Sequence, residues 1–147
     1  VELAERLSLP IIGPHKDDQF LLESLDEYGE MLGLPHSGNI QTGQWLSDGD
    51  TIHIGQQRLA VVHCPGHTPG HVIFYHEASK FAVMGDVLFK GSIGRTDFPR
   101  GNHADLIHSI TQKCLPLGDD IRFIPGHGEM STFGEERLHN PHLQSPL

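Results

Sequence analysis

The feature that most constrains the fold is a series of short apolar runs, each ended by glycine, proline or a polar turn. Short runs rich in β-branched and aromatic residues, bounded by turn residues, are typical of β-strands. Four of these runs follow one another with only short turns between them, which predicts a meander within one sheet. The predicted strands cover residues 51–54, 58–63, 71–76, 81–84 and, further along the chain, 121–124.

Helical patterns flank these strands, with apolar side chains three or four residues apart. Three of the patterns begin after a residue that can cap a helix or end at a residue that breaks one. The predicted helices cover residues 1–9 before Pro10, a stretch through Leu25 capped by Asp17 or Asp18, residues 103–114 capped by Asn102, and residues 133–138. Ile11 and Ile12 are predicted to form a short buried strand. Strands followed by helices in this order predict an α/β fold, with residues 1–147 in one layered domain.

Charge and composition exclude several classes of function. The formal net charge is −9, whereas a nucleic-acid surface needs a basic patch, so no nucleic-acid partner is expected. No apolar run approaches the roughly 18 residues of a membrane-spanning helix, so no membrane partner is expected either. The two cysteines, Cys64 and Cys114, form no paired motif and indicate reduced thiols in a cytoplasmic protein.

Three short motifs place a histidine or an aspartate directly after a predicted strand and next to glycine. They read C-P-G-H-T-P-G-H at residues 64–71, M-G-D-V-L-F at 84–89 and I-P-G-H-G at 124–128. Zinc accepts imidazole and carboxylate ligands, and strand-end loops often carry binding groups, so His67, Asp86 and His127 are candidate metal ligands. The alternative is that the histidines are hydrogen-bonded structural residues and the aspartate belongs to a turn. The spacing leaves both interpretations open.

The longer strings around these motifs resemble the metallo-β-lactamase superfamily, and most of all its single-domain glyoxalase II members, the hydroxyacylglutathione hydrolases. The resemblance rests on H-C-P-G-H-T-P-G-H, on G-D-V-L-F-K-G-S-I-G-R-T-D-F-P and on the later P-G-H-G. It implies a four-layer αββα sandwich with a site for two divalent metal ions, zinc first, with iron or manganese as alternatives. His67 and His127 match ligands, Asp86 matches the carboxylate that bridges the metals, and His71 matches a histidine that supports the ligands without binding metal.

The sequence departs from the family at its leading motif. The string T-H-x-H-x-D-H, which supplies the remaining metal ligands in the family, does not occur in this chain. We therefore expect the chain to be the C-terminal portion of the domain, incomplete at its N-terminus and inactive without the segment before Val1. If the site is built differently, His15, His36 and His63 are the next ligand candidates.

A second departure concerns the substrate. Arg95 stands where the family often has a cationic contact to glutathione, but Asp97 and Glu129 stand where tyrosines usually help. The alternative for Arg95 is a surface residue paired with Asp97.

The activity that the resemblance implies is hydrolysis of a small-molecule glutathione thioester, S-lactoylglutathione, to D-lactate and glutathione. A metal-bound hydroxide would attack the thioester carbonyl, and Asp86 would be the catalytic carboxylate. One rival is a persulfide dioxygenase of the same fold, which uses a single iron and has a similar G-R-T-D-F string. A rival of another kind is an inactive fragment. The sequence leaves the oligomeric state open.

Overall fold

The computed structural model describes residues 2–35 and 38–144. Val1, the first residue of the first predicted helix, and His36 lie outside the described residues. The elements in chain order are α1 Glu2–Leu7, a 3₁₀ turn Lys16–Asp18, α2 Gln19–Glu23, α3 Leu25–Met31, β1 Thr51–Ile54, β2 Gln57–His63, β3 Val72–His76, β4 Phe81–Gly85, β5 Leu88–Phe89, β6 Ser92–Ile93, α4 His103–His108, a π-helix Ser109–Cys114, a 3₁₀ turn Leu115–Leu117, β7 Arg122–Pro125, β8 Ser131–Thr132 and α5 Phe133–His139.

Six of the strands form one mixed sheet in the order β1-β2-β3-β4-β7-β8. Its neighbours are antiparallel except for β4 and β7, which run parallel. The structure thus confirms the predicted meander with the last predicted strand beside it, and β5 and β6 form a separate two-stranded sheet.

Strand direction brings three chain segments to one edge of the sheet. Since β2 and β4 are both antiparallel to β3, and β7 is parallel to β4, the strands β2, β4 and β7 point the same way. Their carboxyl ends therefore lie along a single edge. Each of the three motifs lies at one of these ends.

The core lies between one face of the sheet and the helical segments that connect β6 to β7. Alternate residues of the central strands, such as Ile73, Met84 and Phe123, are fully buried on this face. They pack in one cluster with Leu106 and Ile110 of the helical layer. This packing gives the strand ends a rigid base.

The helix after residue 102 begins as predicted and continues differently. The Asn102 side chain accepts the backbone N–H of Asp105, as an N-cap should. Only His103–His108 is α-helical, however, and Ser109–Cys114 is a π-helix. Apolar spacing over one or two turns does not separate the two helix types, because both place Ile110 and Cys114 toward the core.

Two predictions for the N-terminal region were wrong. Ile12 makes only a single bridge to Gln44 and is 47% exposed, so Ile11 and Ile12 do not form a buried strand. Neither Asp17 nor Asp18 caps the following helix: His15 Nδ1 accepts the N–H of Asp17, and Asp18 makes no cap hydrogen bond. The carboxylate of Asp18 instead binds a distant loop, and local sequence cannot reveal such a tertiary competitor.

Candidate metal centre

Two histidine side chains, each from a different strand end, approach the carboxylate of Asp86, which stands at a third. His67 Nε2 lies 3.7 Å from Asp86 Oδ2, and His127 Nε2 lies 3.9 Å from Asp86 Oδ1. Each imidazole therefore faces a different oxygen of the same carboxylate. Zinc binds imidazole nitrogen and carboxylate oxygen at roughly 2.0–2.2 Å each in tetrahedral geometry, so a shared ion sets nitrogen–oxygen separations of about 3.4 Å. Both distances exceed this value by a few tenths of an ångström.

Glycines hold Asp86 in a tight backbone cradle. A Cβ atom on Gly126 would overlap Oδ1 of Asp86, and one on Gly94 would overlap the Asp86 carbonyl oxygen. Gly85 has φ of +52°, a left-handed conformation that lets β4 turn sharply into Asp86. The cradle fixes the backbone while the Asp86 side chain stays about one-third exposed toward the cavity.

The ring of His67 is oriented by a backbone carbonyl. His67 Nδ1 lies 2.8 Å from the carbonyl oxygen of Arg95, and since a carbonyl only accepts, Nδ1 carries the proton. Nε2 therefore presents a lone pair toward Asp86. Histidine ligands of metals usually donate their second nitrogen to a carbonyl or carboxylate in this way, so His67 fits a divalent ion.

His127 is held less tightly than His67. Its side chain is 73% exposed, and its ring stacks on Phe89 with centroids 4.4 Å apart. The preceding Gly126 donates its N–H to the carbonyl of Gly85 at 2.7 Å, which ties the ends of β7 and β4 together. His127 is thus placed by its backbone and one aromatic wall.

His71 holds the backbone of Asp86 by a hydrogen bond. Its Nε2 accepts the backbone N–H of Asp86 at 3.1 Å, so this nitrogen is not available for a metal. Burial, with a smaller contribution from nearby His67, lowers the pKa of His71 to about 4. The ring is therefore neutral near pH 7, as its accepting Nε2 requires, and the supporting role implied by the resemblance stays a prediction.

The cysteines face the core. The Sγ atoms of Cys64 and Cys114 lie 3.7 Å apart, both residues are fully buried, and both thiols are free. The neighbouring Cys64 thiol and burial raise the pKa of Cys114 well above its usual range.

A cavity of about 440 Å³ opens in front of the three side chains. Two cations stand on its rim, and each is paired with a carboxylate that the sequence analysis noted. Arg95 donates to both oxygens of Asp97, at 2.6 and 2.7 Å, and Lys90 pairs with Glu129. The hydrogen bond between the first pair raises the pKa of Arg95 and lowers that of Asp97.

Two interpretations were proposed for Arg95, a contact to the substrate and a surface residue paired with Asp97. In the structure Arg95 lines the cavity and is also bound to Asp97. Its guanidinium also lies over the ring of Phe98, 4.2 Å from the centroid. Lys90 and the aromatic walls Phe89 and Phe98 also line the cavity and were not predicted as site residues. Their only sequence signal is that they stand in the string at residues 85–99 that carries the family resemblance.

A second group of possible ligands lies where the end of β2 meets the 3₁₀ turn Lys16–Asp18. Ligand atoms of His15, Asp17 and His63 come within 4.8 Å of one another, so two of the three alternative histidines do meet. The rings of His15 and His63 are stacked, however. Their centroids lie 4.0 Å apart, and the angle between the two ring planes is 16°. Lone pairs lie in the ring planes, so stacked rings direct them nearly parallel and not toward one centre. His15 Nδ1 and His63 Nε2 are also already hydrogen-bonded.

Among the helices that the structure describes, none is long and apolar enough to cross a membrane.

The fold places histidines and an aspartate at one edge of a mixed sheet, where an α/β metallo-hydrolase would need its metal ligands. The chain belongs to the metallo-beta-lactamase superfamily, whose profile matches residues 1–127. This confirms the fold class predicted from the sequence.

Several known proteins are similar to the chain over nearly its whole length. The hydroxyacylglutathione hydrolase GloC of Haemophilus influenzae is 43% identical over 146 residues, covering 99% of this chain and 69% of that protein. The crystal structure of the BLEG-1 B3 metallo-beta-lactamase superposes with a TM-score of 0.86 at 34% identity, covering 98% of this chain and 69% of the other. The structure of TTHA1623 in a di-iron-bound form gives 0.84 at 35% identity, covering 95% and 68%.

Proposed function

We propose that this protein is a metal-dependent hydrolase that cleaves glutathione thioesters, with S-lactoylglutathione as the substrate. The observation that carries the proposal is that two imidazoles face the two oxygens of Asp86. The similarity to a hydroxyacylglutathione hydrolase supports the choice of substrate.

His67, Asp86 and His127 would hold the metal, with Asp86 shared between two ions. Bound there, divalent ions supply Lewis acidity toward the thioester carbonyl and lower the pKa of water. Nitrogen and carboxylate oxygen donors suit zinc, iron and manganese alike. Zinc is our first proposal, and the di-iron relative supports iron as the alternative.

The protein's own groups orient the reaction. The Arg95 carbonyl keeps Nε2 of His67 pointed at the centre, and neutral His71 keeps the Asp86 backbone in place. The rim cations Lys90 and Arg95 would hold the carboxylates of a glutathione moiety after exchanging their present partners. The departing thiolate is a good leaving group, so the site needs no strong general acid.

We also propose a cytoplasmic location. The two free, buried thiols support it, since such a pair persists most readily where thiols are kept reduced.

The test measures metal content and thioester cleavage together. The 147-residue chain, alone and joined to any preceding segment that its gene encodes, should be dialysed against zinc, manganese or iron, analysed for bound metal, and assayed with S-lactoylglutathione. We expect bound metal, and rapid hydrolysis where such a segment supplies the family's leading motif. A protein that instead consumes oxygen with glutathione persulfide and a single iron would be a dioxygenase, and one that binds no metal would contradict the proposal.

A further inference from the structure

We infer that Asp18 is a positioning residue for the loop of residues 64–71, hereafter the His67 loop. The inference rests on the proposed metal centre, because His67 is the ligand that the loop would place. Asp18 itself lies far away in sequence, at the end of the 3₁₀ turn Lys16–Asp18.

The Asp18 carboxylate uses both oxygens on the His67 loop. Thr68 Oγ1 donates to Oδ2 at 2.6 Å, and the backbone N–H of Gly70 donates to Oδ1 at 2.5 Å. Asp18 is only 6% exposed. Hydrogen bonds to a charged acceptor are about twice as strong as neutral ones and are little weakened by water when buried.

A further hydrogen bond, with Gly70 as the acceptor, joins the same two segments; we call this set of hydrogen bonds the clamp. The backbone N–H of His15 donates to the carbonyl of Gly70 at 3.1 Å, so Gly70 both donates to and accepts from the segment around Asp18. A Cβ on Gly70 would lie 2.5 Å from the Asp18 nitrogen and 2.6 Å from its Cγ. Only glycine allows this approach.

The sheet explains why the loop needs a clamp. β2 is separated from β4 by β3, so the end of β2 lies about 9–10 Å from Asp86 at normal strand spacing. The His67 loop must therefore cross the end of β3 to bring the His67 imidazole to the Asp86 carboxylate. Asp18 fixes Thr68, the next residue after His67, and the Arg95 carbonyl fixes the ring itself.

A local role does not account for this carboxylate. Asp18 precedes α2 but makes no cap hydrogen bond there. Burying a charge is costly unless it is well bonded, and the bonds it makes lead to the loop of the proposed ligand. The geometry therefore points to positioning of His67.

The experiment compares Asp18→Ala and Asp18→Asn with Glu77→Gln in the full 147-residue chain. Glu77 is an exposed carboxylate in the turn between β3 and β4, at the edge of the sheet opposite the His67 loop, and it provides the control. Cobalt titration of each folded variant gives the metal affinity. We expect Asp18→Ala to weaken cobalt binding about 10- to 100-fold, the usual effect of losing a group that orients a ligand. Asp18→Asn, which keeps the shape and one acceptor, should lose less, and Glu77→Gln should match the unchanged chain.

Two measurements that need no metal separate this inference from the proposed function. Nitrogen NMR of the His67 ring should show loss of the protonated Nδ1 form in Asp18→Ala, and exchange of the Gly70 amide proton should accelerate. If the unchanged chain binds no cobalt, the metal centre fails while these signals still test Asp18.

Thr68→Val removes one bond from the other side and should weaken cobalt binding less than Asp18→Ala, which keeps the test decisive if Asp18→Ala does not fold. Unaltered His67 signals and cobalt affinity in folded Asp18 variants, with only a lower Tm, would overturn the inference.

Discussion

Asp86 is the residue on which the proposed chemistry depends most. Its backbone is fixed by two close glycines and by His71, while its two oxygens face separate imidazoles. A carboxylate held in this way can share its charge between two ions without moving.

Asp86→Asn should therefore remove most metal and most activity. The amide has nearly the same shape, but it lacks the negative charge and keeps only one good acceptor. We expect cobalt affinity and thioester hydrolysis to fall by at least about 100-fold. The control is Glu77→Gln, which changes an exposed carboxylate in the turn at the opposite edge of the sheet. An Asp86→Asn protein that keeps most of its metal would contradict the bridging role.

Substitutions at Arg95 and at its partner Asp97 should change KM in opposite directions. Arg95→Ala should raise KM for a glutathione thioester about fivefold with little change in kcat, since it holds a remote part of the substrate. Asp97→Asn should lower KM, because it frees the guanidinium that Asp97 now binds at both oxygens. Steady-state kinetics on the active protein measures both. An unchanged KM in both variants would leave Arg95 as a surface residue.

At the scale of elements, the site depends on how closely β4 and β7 end together. The Gly126–Gly85 hydrogen bond joins the two strand ends, and Gly126 has no room for a side chain beside Asp86. Two adjacent parallel strands thus place an aspartate and a histidine side by side.

Gly126→Ala tests this close approach. Its methyl group would displace the Asp86 carboxylate, so we expect at least a tenfold loss of metal affinity and about 1–3 kcal/mol of destabilisation from overpacking. Gly29→Ala is the control, because Gly29 lies in α3 with its nearest new contact at an ordinary 3.9 Å. That change should stabilise the protein by up to about 1 kcal/mol. Equal metal affinity in the two variants would argue against the cradle.

At the scale of the whole molecule, His71 couples stability to pH. The folded state lowers the pKa of His71 from 6.5 to about 4, so between these values the unfolded chain binds more protons. The free energy of unfolding should therefore be largest above pH 6.5 and fall as the pH drops toward 4. The shift corresponds to about 3 kcal/mol at most.

Urea unfolding of the EDTA-treated protein at pH 7.5 and 4.5 measures this loss. Other groups titrate in the same range, so the informative quantity is the difference between the unchanged protein and His71→Gln, which cannot take up the proton. The variant should lose less stability on acidification. Equal losses in the two proteins would show that His71 is not held neutral by the fold.

Sequence patterns predicted the sheet well and the N-terminal region poorly. The meander was predictable because alternating apolar residues and tight turns act locally along residues 51–84. Ile12 and Asp18 were mispredicted because their partners, Gln44 and the His67 loop, are remote in sequence. The π-helix was missed for another reason, since its apolar spacing is shared with an α-helix.

The sequence by itself determined the mixed α/β fold and the three side chains at the strand ends, because strand periodicity, turn glycines and motif strings are local. Only the tertiary structure decided that Asp86 presents one oxygen to each histidine, that Arg95 and Lys90 are already paired, and that Asp18 holds the His67 loop. These outcomes depend on which strand ends share an edge and on how closely those ends pack. Each polar atom binds whichever partner the folded chain brings nearest, and that partner is remote in sequence for Asp86 and Asp18.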